Sequence, residues 1–266
     1  MKVIISHDVD ALFRNDHYHD LIYPKQQVRC CIKLIKGECT FNEWILRLTS
    51  PFKKRQNNIK ALMEFDKCNN IESTFFFGMA KGLGMSYSKE KPLAYTTLLK
   101  KNGFDVGVHG ISFDDYDLMK KERDDFIKTI GFMPEGIRMH YVRFNDSTFK
   151  LLSKVGYLFD STEFDKKKGY LIKSPYKVNG MWEFPLTIMD GYLPEKFGDM
   201  QLMTKKIIKE AEQSKLEYIT ILLHDPYFCD AFSAKRDWYL WLIDYLKSKH
   251  YTTISFTKAI RELEEG

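Results

Sequence analysis

The 266-residue chain contains no apolar run near the ~18 residues that a transmembrane helix needs; its longer stretches are of the kind of Trp238 to Ile243. Its start, Met1-Lys2-Val3-Ile4-Ile5-Ser6-His7-Asp8, reaches charge before the roughly 7–15 apolar residues of a signal peptide can accumulate, so a cytoplasmic location is expected. The five cysteines (Cys30, Cys31, Cys39, Cys68, Cys229) form no CxxC pair, which argues against a zinc finger and a disulfide framework and points to reduced thiols. Repeats and low-complexity tracts are missing as well. With 41 basic and 36 acidic side chains the net charge is only +5. The basic residues lie in short clusters such as Lys53-Lys54-Arg55 and Lys166-Lys167-Lys168, which read as solvated faces, and no nucleic-acid partner is expected. What is present is 44% hydrophobic residues, enough to bury a sizeable core in one domain spanning residues 1–266.

Short apolar runs rich in β-branched and aromatic residues alternate with segments of helical spacing. The runs predict strands at Val3 to Ser6, Ser73 to Phe77, Asp105 to Val108, Tyr157 to Asp160, Met181 to Phe184, Ile219 to Leu223 and Thr252 to Phe256. Between them, Ile59, Leu62 and Met63, with Phe65 at one edge, recur at three- and four-residue steps. Met203, Ile207, Ile208 and Ala211 form a second such stripe, and Trp238, Trp241, Leu242, Tyr245 and Leu246 a third. All three read as core faces of helices. Parallel strands need long crossovers, so this alternation predicts an α/β fold, either a barrel or an open sheet. Residues 11–54 break the pattern. They mix Arg14, His17, His19, Lys25 and Arg29 with tyrosines, lack a sustained period, and are expected to be an insertion serving as a lid or as decoration.

Polar residues follow three of the predicted strands, at the edge where α/β folds place their chemistry: His7-Asp8-Val9-Asp10, His109-Gly110 and His224-Asp225-Pro226. In an extended Asp8-Val9-Asp10, both carboxylates point the same way. Two like charges that close are unfavourable unless they share a cation or a proton, so one could bind a metal while the other takes protons. His109 could supply a neutral imidazole ligand and His224 could serve as an acid. The same residues also fit a pair of solvated turn aspartates and two core histidines.

Several segments follow one another in a telling order: Ser6-His7-Asp8-Val9-Asp10, Ser73-Thr74-Phe75-Phe76-Phe77, Gly107-Val108-His109-Gly110, Gly136-Ile137-Arg138-Met139-His140-Tyr141, Gly156-Tyr157-Leu158-Phe159-Asp160-Ser161, Trp182-Glu183-Phe184-Pro185 and Leu222-Leu223-His224. Together they resemble the polysaccharide deacetylases of the NodB-homology group, carbohydrate esterase family four. Within that group, the resemblance is closest to the WbmS-like branch associated with O-antigen biosynthesis. It implies a distorted (β/α) barrel that hydrolyses N-acetyl or O-acetyl groups on sugars with a divalent metal, often zinc. By motif, Asp8 resembles the general base, Asp10 the metal-binding aspartate and His109 the first histidine ligand. Arg138 resembles the arginine that orients the base, His224 the catalytic acid, and Asp160 the carboxylate that holds and tunes it. The backbone amide near Tyr141 would lie at the oxyanion. His140, standing where the arginine motif usually has a proline, is placed with Tyr141 on the substrate side.

One departure stands out. The family's second histidine, four residues after the first, is replaced by Phe113, which cannot ligate a metal. Asp114 is the expected replacement, giving an oxygen-richer site suited to a harder metal. The expected reaction is metal-assisted removal of acetyl from a sugar intermediate of surface polysaccharide. Two alternatives are a catalytically inactive carbohydrate-binding barrel, suggested by Phe113 together with Tyr18, Tyr23, Trp44 and Tyr227, and an amide hydrolase of a small metabolite.

Overall fold

The structure is a computed structural model describing every residue except 19, 54, 55 and 266. His19, Lys54 and Arg55, named above in the insertion and its basic cluster, therefore lie outside the described residues.

The chain begins with β1 (Lys2–Val9), makes an excursion through α1 (Ile22–Ile35) and α2 (Phe41–Leu48), and enters the main alternation at α3 (Ile59–Cys68) and β2 (Thr74–Gly78). There follow α4 (Leu93–Lys101), β3 (Asp105–Gly110), α5 (Tyr116–Ile130), β4 (Gly136–Met139), α6 (Thr148–Val155) and β5 (Phe159–Asp160). Three short strands come next, β6 (Tyr176–Val178), β7 (Met181–Glu183) and β8 (Ile188–Met189). The chain ends with α7 (Phe197–Gln213), β9 (Tyr218–Leu222), α8 (Ser233–Ser248), β10 (Thr252–Thr253) and α9 (Phe256–Glu265).

The strands form a single curled sheet in the order β6-β7-β5-β4-β3-β2-β1-β9-β8, with β10 paired to the first residues of β1. All pairings are parallel except β6 with β7. This is the distorted (β/α) barrel that the resemblance implies, and one of the two α/β arrangements that the alternation leaves open. The outward face, with Val3, Ile5, Phe75, Phe77, Val106 and Val108, packs under the helices. The inward face holds Ile4, Phe76, Phe159 and Phe184, and α9 closes its lower end with Phe256 stacked on Phe159 at 4.4 Å between ring centres. Burial of each such ring contributes roughly 1.5–3 kcal/mol.

Register lines up one inward row: Asp8, Phe76, Gly107, Gly136, Phe159 and Trp182. The two glycines make the row possible. A Cβ on Gly107 would stand 2.6 Å from the Phe76 ring, and one on Gly136 2.5 Å from the Phe159 ring. The barrel floor is thus filled by phenylalanines, and the polar side chains of the same face collect above it at the C-terminal strand ends.

Several elements differ from expectation. Strand β1 runs on through His7 and Asp8. Strands β4, β6 and β8 are additional, and Phe256 opens a helix instead of ending a strand. Residues 11–54 contain two helices despite showing no clear period. In α1, Tyr23 and Cys30 turn inward while Val28, Ile32 and Ile35 face solvent, so apolar residues occupy both sides and blur the stripe. Helix α2 starts at a capping box, with Thr40 accepting from the Glu43 N–H and the Glu43 carboxylate accepting from the Thr40 N–H.

Candidate active site

Alternation along β1 puts Ser6, Asp8 and Asp10 on the inward side and turns His7 outward. There the His7 ring bonds the Leu223 carbonyl and the buried Asp66 carboxylate, each at 2.9 Å, so it is a core residue. Asp8 is buried, and one of its oxygens is occupied. Arg138, fully buried on β4, donates through Nη1 to Asp8 Oδ1 at 3.0 Å and to Ser6 Oγ at 2.8 Å. Its other nitrogens bond Ser161, and the guanidinium lies 4.6 Å above the Phe76 ring, leaving it little freedom. Asp8 Oδ2 is left facing the site, 3.7 Å from His109 Nε2.

Strand register sets His109 beside Arg138, and His140 follows Arg138 by two residues just past the strand end. His109 Nδ1 lies 3.0 Å from the Arg138 carbonyl, and His140 Nε2 lies 3.2 Å from the Leu83 carbonyl. A carbonyl only accepts, so each of these nitrogens carries the hydrogen. The two remaining nitrogens, His109 Nε2 and His140 Nδ1, therefore present lone pairs to each other across 3.0 Å. Asp10 Oδ1 stands 3.3 Å from the first and 3.4 Å from the second. It is buried and makes no hydrogen bond of good geometry among the described residues. Three lone-pair donors converging in this way repel one another unless a cation, metal ion or proton, sits among them. One carboxylate and two imidazoles, with second nitrogens fixed by carbonyls, fit a divalent transition metal with open positions. With a proton rather than a metal among the three, burial would push the Asp10 carboxyl up, but the adjoining His109 and His140 rings and the nearby His224 hold it well below the usual range.

On the far side of Asp10, His224 follows β9 with its Nε2 4.0 Å from Asp10 Oδ2. Its Nδ1 lies 2.6 Å from Asp190 Oδ1, and its backbone N–H donates to Asp190 Oδ2 at 2.8 Å. Burial would lower the imidazole pKa; the Asp190 charge and hydrogen bond outweigh it and hold the pKa well above the ordinary histidine value. Asp190 itself is fully buried just after β8.

Asp8, Asp10, His109, Arg138, His140 and His224 thus come together. Two expected residues do not join them. Asp114 is exposed, before α5, and outside the donor group; His140 takes the place assigned to it. Phe113 packs its ring under Arg143 and gives its carbonyl to Thr148. Asp160 lies in register with Ile137 and Glu183 and so on the outward face, opposite to Arg138. It accepts from Thr162 at 2.6 Å, and burial raises its pKa to about 6 and that of neighbouring Glu183 well above the ordinary range. The carboxylate on His224 is Asp190. Tyr141 sits at the rim in a left-handed conformation (φ 58°), its ring half-exposed and 4.1 Å from that of His140.

The sequence had a usable signal for His140: by alternation from Arg138 it points inward, next to His109. Asp190 had almost none, because it follows a two-residue strand. A second residue lacked a sequence signal as well. Glu122 of α5 is buried and accepts the backbone N–H groups of Ile111 and Ser112 at 2.9 and 2.8 Å, fixing the chain just after His109.

No family model and no curated protein sequence matches the chain. Solved structures do. A Mycobacterium smegmatis protein assigned as a polysaccharide deacetylase superposes with a TM-score of 0.62 at 16% identity, over 98% of this chain and 88% of that one. A chitin deacetylase from Colletotrichum lindemuthianum gives 0.50 at 15% identity, over 96% and 85%. A GH57-type branching enzyme from Pyrococcus horikoshii gives 0.57 at 10% identity, over 98% and 70%. The fold is that of the carbohydrate esterase family four deacetylases. Because a branching enzyme shares it, the chemistry must be argued from the site.

Proposed function

We propose that this chain is a metal-dependent hydrolase that removes acetyl groups from a sugar or polysaccharide intermediate. The observation that carries the reading is the convergence of Asp10 Oδ1, His109 Nε2 and His140 Nδ1, flanked on one side by Asp8 and on the other by His224. Asp10, His109 and His140 would hold the metal, with zinc first among the candidates for such a donor set. When bound, the metal polarises an acetyl carbonyl and lowers the pKa of water from about 15.7 towards roughly 7.

The chain's own residues supply the rest. Arg138 holds Asp8 by Oδ1 and leaves Oδ2 pointing into the site, where it accepts the proton of the attacking water. His224, kept as imidazolium by Asp190, donates from Nε2 to the departing amine or alcohol. Its backbone and ring are both tied to one carboxylate, so it cannot turn away. The main chain at Tyr141, in its left-handed turn at the rim, is assigned the oxyanion side. We place the reaction in surface polysaccharide synthesis, such as that of O-antigen, on the resemblance of its HDVD, GIRMHY and YLFDST segments. The expected cytoplasmic location would supply nucleotide-linked or lipid-linked sugars as substrates. Among the described residues no helix is long and apolar enough to cross a membrane.

The test is acetate release from a panel of N- and O-acetylated oligosaccharides and sugar intermediates, with metal content measured in parallel. Asp8→Asn and His224→Ala should each abolish release. Full metal-dependent release by both variants would defeat the reading.

A further inference from the structure

The excursion between β1 and α3 carries a surface that the hydrolytic site does not use. On α1, Val28, Ile32 and Ile35 occupy one solvent-facing stripe at i, i+4 and i+7, with Ile35 85% exposed. On α2 Phe41 and Ile45 are exposed as well, and Phe52 beyond is 77% exposed. Such a concentration of exposed apolar side chains in one excursion, with a continuous stripe on α1, marks an interaction surface.

The fully exposed charges of the excursion itself have one sign. Among the described residues of 11–53, the exposed charged side chains are Arg14, Lys25, Arg29, Lys36 and Lys53, all cationic. Three of the segment's four acids are engaged, Asp16 with Lys91, Asp20 with His17, and Glu43 with Thr40 and Ser233, and the fourth, Glu38, is half-buried just past α1. Helix α1 itself contains no acidic residue. Around its axis, Lys25, Arg29 and Lys36 fall beside the apolar stripe.

The hairpin also sits at the mouth of the site. Ile22 at the start of α1 lies against Gly84, whose neighbourhood includes the Tyr141 hydroxyl, next to the Leu83 carbonyl that fixes His140. Further along, Lys33 pairs with Glu195 at 2.7 Å, shortly after Asp190. Arg47 of α2 donates to the Ala231 carbonyl at 2.6 Å, beyond His224. The hairpin thus bridges the two sides of the rim.

We propose that the α1–α2 hairpin docks on the surface of an anionic lipid bilayer, with its apolar stripe in the headgroup–acyl boundary and its lysines and arginines on lipid phosphates. A protein groove would call for mixed charge around an apolar centre, whereas an exposed apolar stripe whose fully exposed neighbouring charges are cationic is the pattern that lipid interfaces take. Resting on the hydrolase reading above, this makes the substrate an acetylated sugar attached to a membrane-embedded lipid carrier, presented to the mouth from the bilayer.

The experiment is co-sedimentation of the full chain with phosphatidylcholine vesicles with or without phosphatidylglycerol, alongside gel filtration. The wild-type chain should pellet with the anionic vesicles and be released by added salt. Ile32→Ser/Ile35→Ser and Arg29→Glu/Lys36→Glu, all at exposed positions, should each reduce the bound fraction at least about tenfold while keeping the wild-type circular dichroism. Asp8→Asn should bind vesicles as the wild type does. A wild-type chain that stays in the supernatant, or double variants that bind undiminished, overturn the docking. So does a dimer on gel filtration that Ile32→Ser/Ile35→Ser dissolves without any vesicle binding, since a second copy then covers the stripe. Acetate release from soluble oligosaccharides is scored separately. Loss of vesicle binding with that release intact removes the docking and leaves the hydrolase.

Discussion

Asp190 holds His224 at two points, its Oδ1 2.6 Å from the ring Nδ1 and its Oδ2 accepting the backbone N–H at 2.8 Å. The carboxylate therefore sets both the direction of the ring and its charge. A raised histidine pKa means that the protonated, proton-donating form survives to higher pH. Asp190→Asn should lower turnover about 10²-fold, the lower end of what a positioned acid contributes, and move the basic limb of the pH–rate profile to lower pH. Asp160→Asn, on the opposite face of the sheet, should leave that limb in place. The two pH profiles, measured side by side, decide which carboxylate serves the histidine.

Metal affinity should follow the three donors. Even outer partners of metal ligands are worth about 10–100-fold in affinity, so Asp10→Asn and His140→Ala should each cost at least about 100-fold, read by isothermal titration with zinc. Asp114→Ala should bind as the wild type does. Phe113→His should add nothing, because the Phe113 ring packs under Arg143, outside the donor group.

The barrel floor makes a stability prediction. In Gly107→Ala the new methyl would meet the Phe76 ring at 2.6 Å and the Gly136 carbonyl oxygen at 2.7 Å, and the latter is backbone that cannot swing aside. Overpacking of this kind costs typically 1–3 kcal/mol, so the urea midpoint should fall by an amount equivalent to about 2 kcal/mol. Gly103→Ala gives a control for backbone strain without crowding, since its Cβ would meet nothing within 4 Å at φ +85°.

Much of this arrangement is legible in the sequence. Runs such as Val3 to Ser6 and Ile219 to Leu223 are buried on both faces, so they read as continuous apolar strands, and their polar ends marked Asp8, Asp10, His109 and His224. Two-residue strands such as β8 leave no periodic signature, which is why Asp190 went unseen and its role fell to Asp160. Parity explains that exchange. Asp160 follows an apolar run as a site residue would, but whether it faces in or out depends on the register between β5 and β4, which one sequence does not contain. Asp114 failed differently. Proximity in sequence to His109 suggested it, whereas the third donor came from the neighbouring strand through the pairing of His109 with Arg138.

Glu122 joins stability to the site. Its carboxyl is buried under β3, and desolvation raises its pKa from the ordinary carboxylate value to about 7 although the Ser112 and Ile111 N–H groups favour the anion. Between pH 4.5 and 7 the folded chain retains a proton at Glu122 that the unfolded chain has released, so stability falls as pH rises through this window. At about 1.36 kcal/mol per unit, the loss is on the order of 3 kcal/mol by pH 8. Glu122→Gln cannot ionise and should lose correspondingly less between pH 5 and 8, although it exchanges one backbone acceptor for an amide. The measurement is the urea unfolding free energy of both proteins across that range. Their difference isolates this carboxyl from other titrating groups, and parallel curves for the two proteins would show that the residue enters the fold already ionised.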